Sequence, residues 1–241
     1  MQDTARTRSV LGAFPHGFVI REVLDSAARR MPQDATARFL LGMIEMQRGD
    51  IGPAFARWDS LRVAGVVYPS LYRNLAVASL LLGDTTRADV LAEEGTRKEP
   101  GNPGMWALAD SVKVLRRATA ASRAALLDRY PDKPGMPTAL VYRYARALAD
   151  ANRFDDAEAL FADRWFSRVE GGTNPRGVWM EVRSLRAPAM AQAGNCAAAR
   201  EIVRRLSEPV ARMSFTRDGM APFVDREPIR GRVREVARRC P

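Results

Sequence analysis

Residues 41–58 read LGMIEMQRGDIGPAFARW, and residues 75–92 read LAVASLLLGDTTRADVLA. The second stretch returns the first at a distance of 34: Leu41-Gly42 becomes Leu75-Ala76, Gly49-Asp50 becomes Gly83-Asp84, and Ala54 and Trp58 become Ala88 and Ala92. The prolines keep the same beat, with Pro69, Pro103 and Pro137 at one phase and Pro100 and Pro134 at another. A fixed period of this length marks stacked helical hairpins, because one hairpin cannot bury its apolar face alone and must lean on its neighbours.

Outward from that pair, residues 19–31 carry Ile20, Val23, Leu24, Ala27 and Ala28 at helical spacing and stop at Pro32. Asp34 predicts the N-cap of a helix running to Gly49, with a return helix over 53–63 that holds Pro53 in its first turn. The second hairpin pairs 69–82 with 86–97. The third opens on Asn102-Pro103, a capping residue followed by proline, but its return helix over 120–129 lacks the Gly-Asp turn. Beyond a proline-rich connector, 131–137, the fourth pairs 138–150 with 155–165 about Asn152. The fifth pairs 178–193 with 196–207 about Gly194-Asn195, and Pro188 is expected to kink or split its first helix. Residues 228–239 read as a short basic helix that caps the stack. The chain thus divides into an irregular segment 1–18, a repeat domain 19–207, and a loop with a basic capping helix over 208–241.

Small residues recur in phase with the turns. Ala54, Ala88, Ala157 and Ala199 each lie five residues beyond the turn residues Gly49, Gly83, Asn152 and Gly194. Where two helices cross tightly, a side chain larger than a methyl holds them apart. Four positions on, Trp58, Phe161 and Val203 fill the remaining space. Glycine at the turn supplies the left-handed backbone that ends the first helix of each pair.

The pattern resembles the tetratricopeptide repeat. Leu41-Gly42, Gly49-Asp50, Ala54 and Trp58 carry the likeness in one unit, Tyr72, Leu75, Ala76, Ala88 and Pro100 in the next, and Trp106 opens the third. The likeness spans residues 35 to 207, with Glu45 and Ser79 where a tyrosine is common. It implies an all-α, right-handed superhelical array of about five hairpins whose first helices line a concave groove. A second resemblance concerns residues 152–172 and the following Trp179-Met180-Glu181. They look like the C-terminal helical-repeat region of bacterial multidomain proteins that carry an uncharacterised β-sandwich domain. Phe166, Glu170, Gly171 and Gly172 match the loop motif of those proteins, whereas Ser167 and Val169 stand where His and Trp are usual.

By register, the groove of such an array is lined by Phe39, Met43 and Gln47, then Arg73, Asn74 and Val77, then Tyr142, Arg143 and Arg146. Arg73 with Asn74, and Arg143 with Arg146, could clamp a carboxylate or phosphate through paired N–H donors. The loop 167–177 is a second candidate, since Ala157 and Ala199 are 42 residues apart against a period of 34. Glu170 between that insertion's neighbours, beside Gly171 and Gly172, could approach a ligand closely; the plainer reading is a solvated acid on a glycine turn.

Bulk properties set the outer bounds. The 241 residues are 46% hydrophobic and 27% charged, ordinary for a folded domain, with a formal charge of +10. Only three of the 38 basic residues are lysines, and residues 200–241 hold eleven arginines against six acids. That balance could draw an acidic partner or a polyanion such as RNA, but no block of five like charges occurs, so nucleic acid is the weaker expectation. No apolar stretch approaches the length of a bilayer span, and residues 1–18 lack the continuous apolar core of a signal peptide. A cytoplasmic location is expected on that ground. The alternative is export, with Cys196 and Cys240 joined as a disulfide that pins the C-terminal tail; two free thiols are equally compatible with the sequence.

Chemistry is not legible. The chain has no Gly-x-Ser-x-Gly elbow, no Gly-x-x-x-x-Gly-Lys loop and no Gly-x-Gly-x-x-Gly run. His16 is the single histidine and lies far from both cysteines, so no catalytic triad, metal site or cofactor is predicted. Asp155-Asp156 stand at a helix start, where the dipole accounts for them. The expected function is a non-catalytic scaffold that binds a protein or peptide partner, one of acidic character if the arginines serve it. The second resemblance offers an accessory module of a carbohydrate-active protein as the alternative.

Overall fold

The computed structural model describes residues 18–68, 70–162, 164, 166, 175–206 and 226–241. Among these, every regular element is an α-helix. In chain order they are α1 (Phe18–Arg30), α2 (Ala35–Gln47), α3 (Ile51–Val63), α4 (Leu71–Leu81), α5 (Thr85–Lys98), α6 (Pro103–Leu115), α7 (Ala120–Asp128), α8 (Thr138–Asp150), α9 (Phe154–Ala159), α10 (Pro175–Gln192), α11 (Cys196–Arg204) and α12 (Ile229–Arg239). The expected irregular N-terminal segment with His16, Pro69, the loop residues Glu170, Gly171 and Gly172, and most of the expected loop over 208–227 lie outside the described residues. The chain falls into two compact units, Met1–Arg116 and Arg117–Pro241. The division lies inside the third expected hairpin: α6 closes the first unit and α7 opens the second.

In the first unit each helix packs on the next, from α1 through α6. The signals that start and stop these helices are those of the sequence. Asp34 Oδ1 accepts from the backbone N–H groups of Thr36 and Ala37, Asp84 accepts from Arg87 N–H, and Asn102 from Gly104 N–H. Gly49 and Gly83 close α2 and α4 with φ of +85° and +79°. At the corresponding position of the third repeat the glycine is gone, and Arg117, 34 residues beyond Gly83, has φ +54°. That conformation is a costly one for a side chain with a Cβ.

The contact between paired helices follows the alanine phase. Ala54, Ala88, Ala157 and Ala199 are all fully buried on the second helix of their pairs. Beyond them, size is traded between neighbours. Trp58 of α3 is fully buried, and its Nε1–H donates to the Phe39 carbonyl of α2 at 3.0 Å. Gly42 makes room for it: a Cβ placed there would lie 2.4 Å from Trp58 Nε1 and 2.6 Å from Cε2. One repeat later the same two positions hold Ala76 and Ala92, both fully buried. Gly95 of α5 plays a similar part, since a Cβ would meet Met105 of α6 at 2.3 Å and the Tyr72 Cβ of α4 at 2.8 Å.

In the second unit α7 packs on α8, α8 on α9, and α10 on α8, α9, α11 and α12. The return helix expected over 155–165 is much shorter, ending at Ala159. Arg164 explains where the backbone goes instead. Its guanidinium donates to the carbonyls of Leu160 (3.2 Å), Met136 (2.8 Å) and Lys133 (2.7 Å), tying the helix end to the 131–137 connector. Nor does Pro188 split α10, which runs 18 residues with Pro188 buried inside it. Packing from four neighbouring helices holds α10 together despite the missing N–H. At the C-terminal end, Val236 and Cys240 pack on Ala187, Ala191 and Ala199. Cys196 and Cys240 form a disulfide with Cα atoms 5.3 Å apart, which fastens α12 to the start of α11.

Two outcomes follow from this packing. Gly42→Ala should destabilise the first unit by about 1–3 kcal/mol through overpacking, despite alanine's better helix propensity. In a Trp58→Ala background, itself about 3–5 kcal/mol less stable, the same change should be neutral or favourable. Urea denaturation of the four proteins checks this coupling. Replacing Cys196 and Cys240 with serine should cost about 2–4 kcal/mol and loosen α12. Thermal melts of wild type with and without reductant should reproduce that loss, while the serine protein stays indifferent to reductant.

Candidate functional site

The residues nominated for a groove lie on first helices, and the two units treat them differently. In the first unit Phe39, Met43 and Gln47 follow one another at four-residue spacing on α2, as do Arg73, Val77 and Leu81 on α4. Phe39 is a correction to the groove list. It is buried, stacked on Tyr68 with centroids 4.3 Å apart and tilted against Trp58 at 6.1 Å, so its ring is part of the core. Asn74 is also buried, and its amide is spent on the Met43 sulfur at 3.0 Å. That bond joins α2 to α4. Gln47 and Arg73 are exposed, and Met43 and Val77 are partly so.

In the second unit the face shared by α8 and α10 is charged. Arg146 Nη2 meets Glu181 Oε2 at 2.6 Å across the two helices. Arg232 of α12 approaches the same place, donating to Ser184 Oγ at 2.8 Å and to the Glu181 carbonyl at 3.4 Å. Burial holds its pKa below the usual arginine value, against the attraction of Glu181 and Asp150. The nominated pair Arg143 and Arg146 is therefore not an open clamp: Arg146 already has a carboxylate, and partly exposed Arg143 is engaged as well. Arg232 and the pairing of Arg146 with Glu181 escaped the sequence reading, which had no means of pairing residues so far apart.

Tyr142 lies one turn before Arg146 and is buried, another correction to the groove list. Its ring stacks with Phe166 at 5.9 Å and Phe161 at 6.4 Å, and Phe161 meets Trp179 edge-on at 5.5 Å. The Tyr142 hydroxyl, Trp179 Nε1 and Arg146 Nε are buried without hydrogen-bond partners among the described residues. Burial alone pushes the Tyr142 pKa up to about 12. The arrangement is thus an aromatic core edged by donors, beside an ion pair exposed to solvent on its guanidinium side.

Among the described residues no group of three or more His, Cys, Asp or Glu side chains could hold a metal ion. No helix among them is long and apolar enough to cross a membrane. The loop motif Glu170-Gly171-Gly172, on which the second resemblance depends, lies outside the described residues.

Asp150, two turns from Tyr142 on α8 and exposed at the helix end, has a raised pKa, from partial desolvation of its carboxyl and from Glu181, against Arg123, Arg232 and Arg146, with solvent screening the effect. A carboxyl that holds its proton more tightly when folded costs stability once ionised. That cost is absent below the ordinary aspartate value of 3.8 and grows as pH rises through it toward the folded value. Asp150→Asn should therefore gain on wild type between acidic and neutral pH. Chemical denaturation at about pH 3 and pH 7 reads the difference, and a gap that narrows toward neutrality would contradict the assignment.

No family model matches the sequence, and no curated protein matches it. Solved structures do match its fold. One is YrrB, described as a TPR protein with an unusual peptide-binding site: the TM-score is 0.53 at 15% identity, over 77% of this chain and 91% of that one. Another is a tetratricopeptide repeat protein from Parabacteroides merdae ATCC 43184, with a TM-score of 0.50 at 14% identity, over 98% of this chain and 88% of that one. With the 34-residue period, the buried alanine phase and the helices alternating in pairs, this likeness identifies the chain as having the tetratricopeptide repeat fold.

Proposed function

We propose that this protein is a non-catalytic scaffold that holds a segment of a partner protein against the exposed face of its first helices. One observation carries the reading: the first helices, although the more deeply packed of each pair, keep residues outside at a recurring phase. Ala54, Ala88, Ala157 and Ala199 are buried at the contact on the second helices, while α2 and α4 leave Gln47 and Arg73 in solvent. A surface repeated on a fixed period suits an extended or helical peptide. The description of YrrB as peptide-binding agrees with this reading.

Polyanion binding is the less favoured reading, because several arginines of the basic C-terminal region are already engaged. Arg234 pairs with Glu227 at 2.6 Å and Arg239 with Glu235 at 3.1 Å, and Arg200 donates to the Pro241 carbonyl. The Cys196–Cys240 bridge supports an oxidising compartment over the cytoplasm.

Affinity capture on the immobilised, disulfide-bonded protein should retain a protein partner after nuclease treatment and in about 0.5 M salt, identified by mass spectrometry. Retention of nucleic acid alone, lost steeply as salt rises, would transfer the function to the arginine-rich surface.

A further inference from the structure

The first unit's open face has a chemistry of its own, read by stepping along the repeat. Gln47 of α2 becomes Leu81 of α4 and Leu115 of α6 at successive intervals of 34. Equivalent positions in stacked repeats look the same way, so these three side chains form one row. Leu81 is 61% exposed and Leu115 62%, among the most exposed large apolar side chains described in this unit. The row beside it is Met43 and Val77, both partly exposed. Asn74 fixes its near end by holding the Met43 sulfur, which keeps the α2 and α4 stripes side by side.

Charge is nearly absent from these stripes. Arg73 is their one ionised group, one turn before Val77 on α4. Its side chain is exposed and forms no ion pair or hydrogen bond with a described residue. Elsewhere in this unit Arg57 is held by Glu45, Arg62 by Asp59 and Glu94, and Lys113 by Asp89 and Glu93, while the other exposed cations with no ion pair or hydrogen bond among the described residues, Arg29, Arg30, Arg97 and Lys98, lie on α1 and α5 rather than on these stripes. Exposed leucines in register, flanked by a cation with no counterion, complement a ligand that is apolar with one negative charge. A strongly acidic segment would find one partner for its several charges and would strand the rest over leucines.

Resting on the scaffold reading, we propose that the first unit takes an apolar segment of a partner protein carrying one aspartate or glutamate. Leucine-sized side chains of the partner cover Leu81, Leu115 and Val77, and the partner's carboxylate meets the Arg73 guanidinium. Gln47 replaces leucine at the α2 end of the row, so the apolar contact weakens toward α2 and gives the segment a direction.

The test is selection of a random twelve-residue peptide display library on the intact, disulfide-bonded protein, followed by fluorescence polarisation with the enriched peptides. Enriched sequences should share two or more Leu, Ile, Met or Phe residues with a single Asp or Glu. Leu81→Glu and Leu115→Glu should each weaken binding at least about tenfold without altering the thermal melt, since neither side chain is buried. Arg73→Glu should weaken binding comparably and recover it for peptides whose acid is changed to lysine. Enriched peptides that bind all three variants like wild type would overturn this assignment while leaving the scaffold reading intact. Absence of any enriched peptide would count against the scaffold reading itself. Sedimentation showing a wild-type dimer that Leu81→Glu dissociates would make a second copy of the chain the occupant, and would overturn the proposal in favour of self-association.

Discussion

Everything in this fold rests on how closely the two helices of a pair can approach. A methyl group at Ala54, Ala88, Ala157 and Ala199 sets that distance, and all four are fully buried. Close approach buries the small-residue face of the second helix against the first. It also fixes which face of the first helix remains outside. Had these positions carried leucine, the pairs would stand apart and the repeat would lose the density that lets short helices persist. The Gly42–Trp58 fit shows the same rule in stronger form, with one helix giving up its side chain so that an indole can enter. Ala76 and Ala92 are a second solution with the large and small partners evened out.

Much of this was legible because repetition turns weak local signals into strong ones. A lone alanine says nothing about packing, but four in one phase relative to a turn do. The caps at Asp34, Asp84 and Asn102 were legible for a different reason: an N-cap is satisfied within three residues, so no distant information is needed. What escaped the sequence came from residues outside the period. Phe39 and Tyr142 occupy groove-facing register positions, yet each is covered by an aromatic ring from a connecting segment, Tyr68 and Phe166 respectively. Connectors do not repeat, so their contributions cannot be read by stepping from one unit to the next. The short α9 has the same origin, since Arg164 ends it with carbonyls drawn from the connector before α8.

Arg117 adds a further lesson about what a repeat preserves. The third unit lacks the glycine that marks its turn, and its sequence suggests a lost boundary. Arg117 nevertheless takes the positive φ found at Gly49 and Gly83, and a single left-handed residue is what remains of the signal at the division between the two units. The open face is the converse case: Gln47, Leu81 and Leu115 share a position while differing in chemistry, because nothing in the interior depends on them. Fold is carried by what recurs, and the exposed positions are left to vary.

The bond between Cys196 and Cys240 also decides how the second unit would carry mechanical load. A pull applied beyond Cys240 enters the fold through sulfur at the first residue of α11, bypassing the covalent path through α12. Tension is then borne by the chain before Cys196, where α10 is gripped by its neighbours. Everything enclosed between the two cysteines is shielded from stretching, so α12 cannot be peeled away turn by turn like an uncrosslinked terminal helix. A protein tethered at this end would resist force with its longest, best-packed helix first.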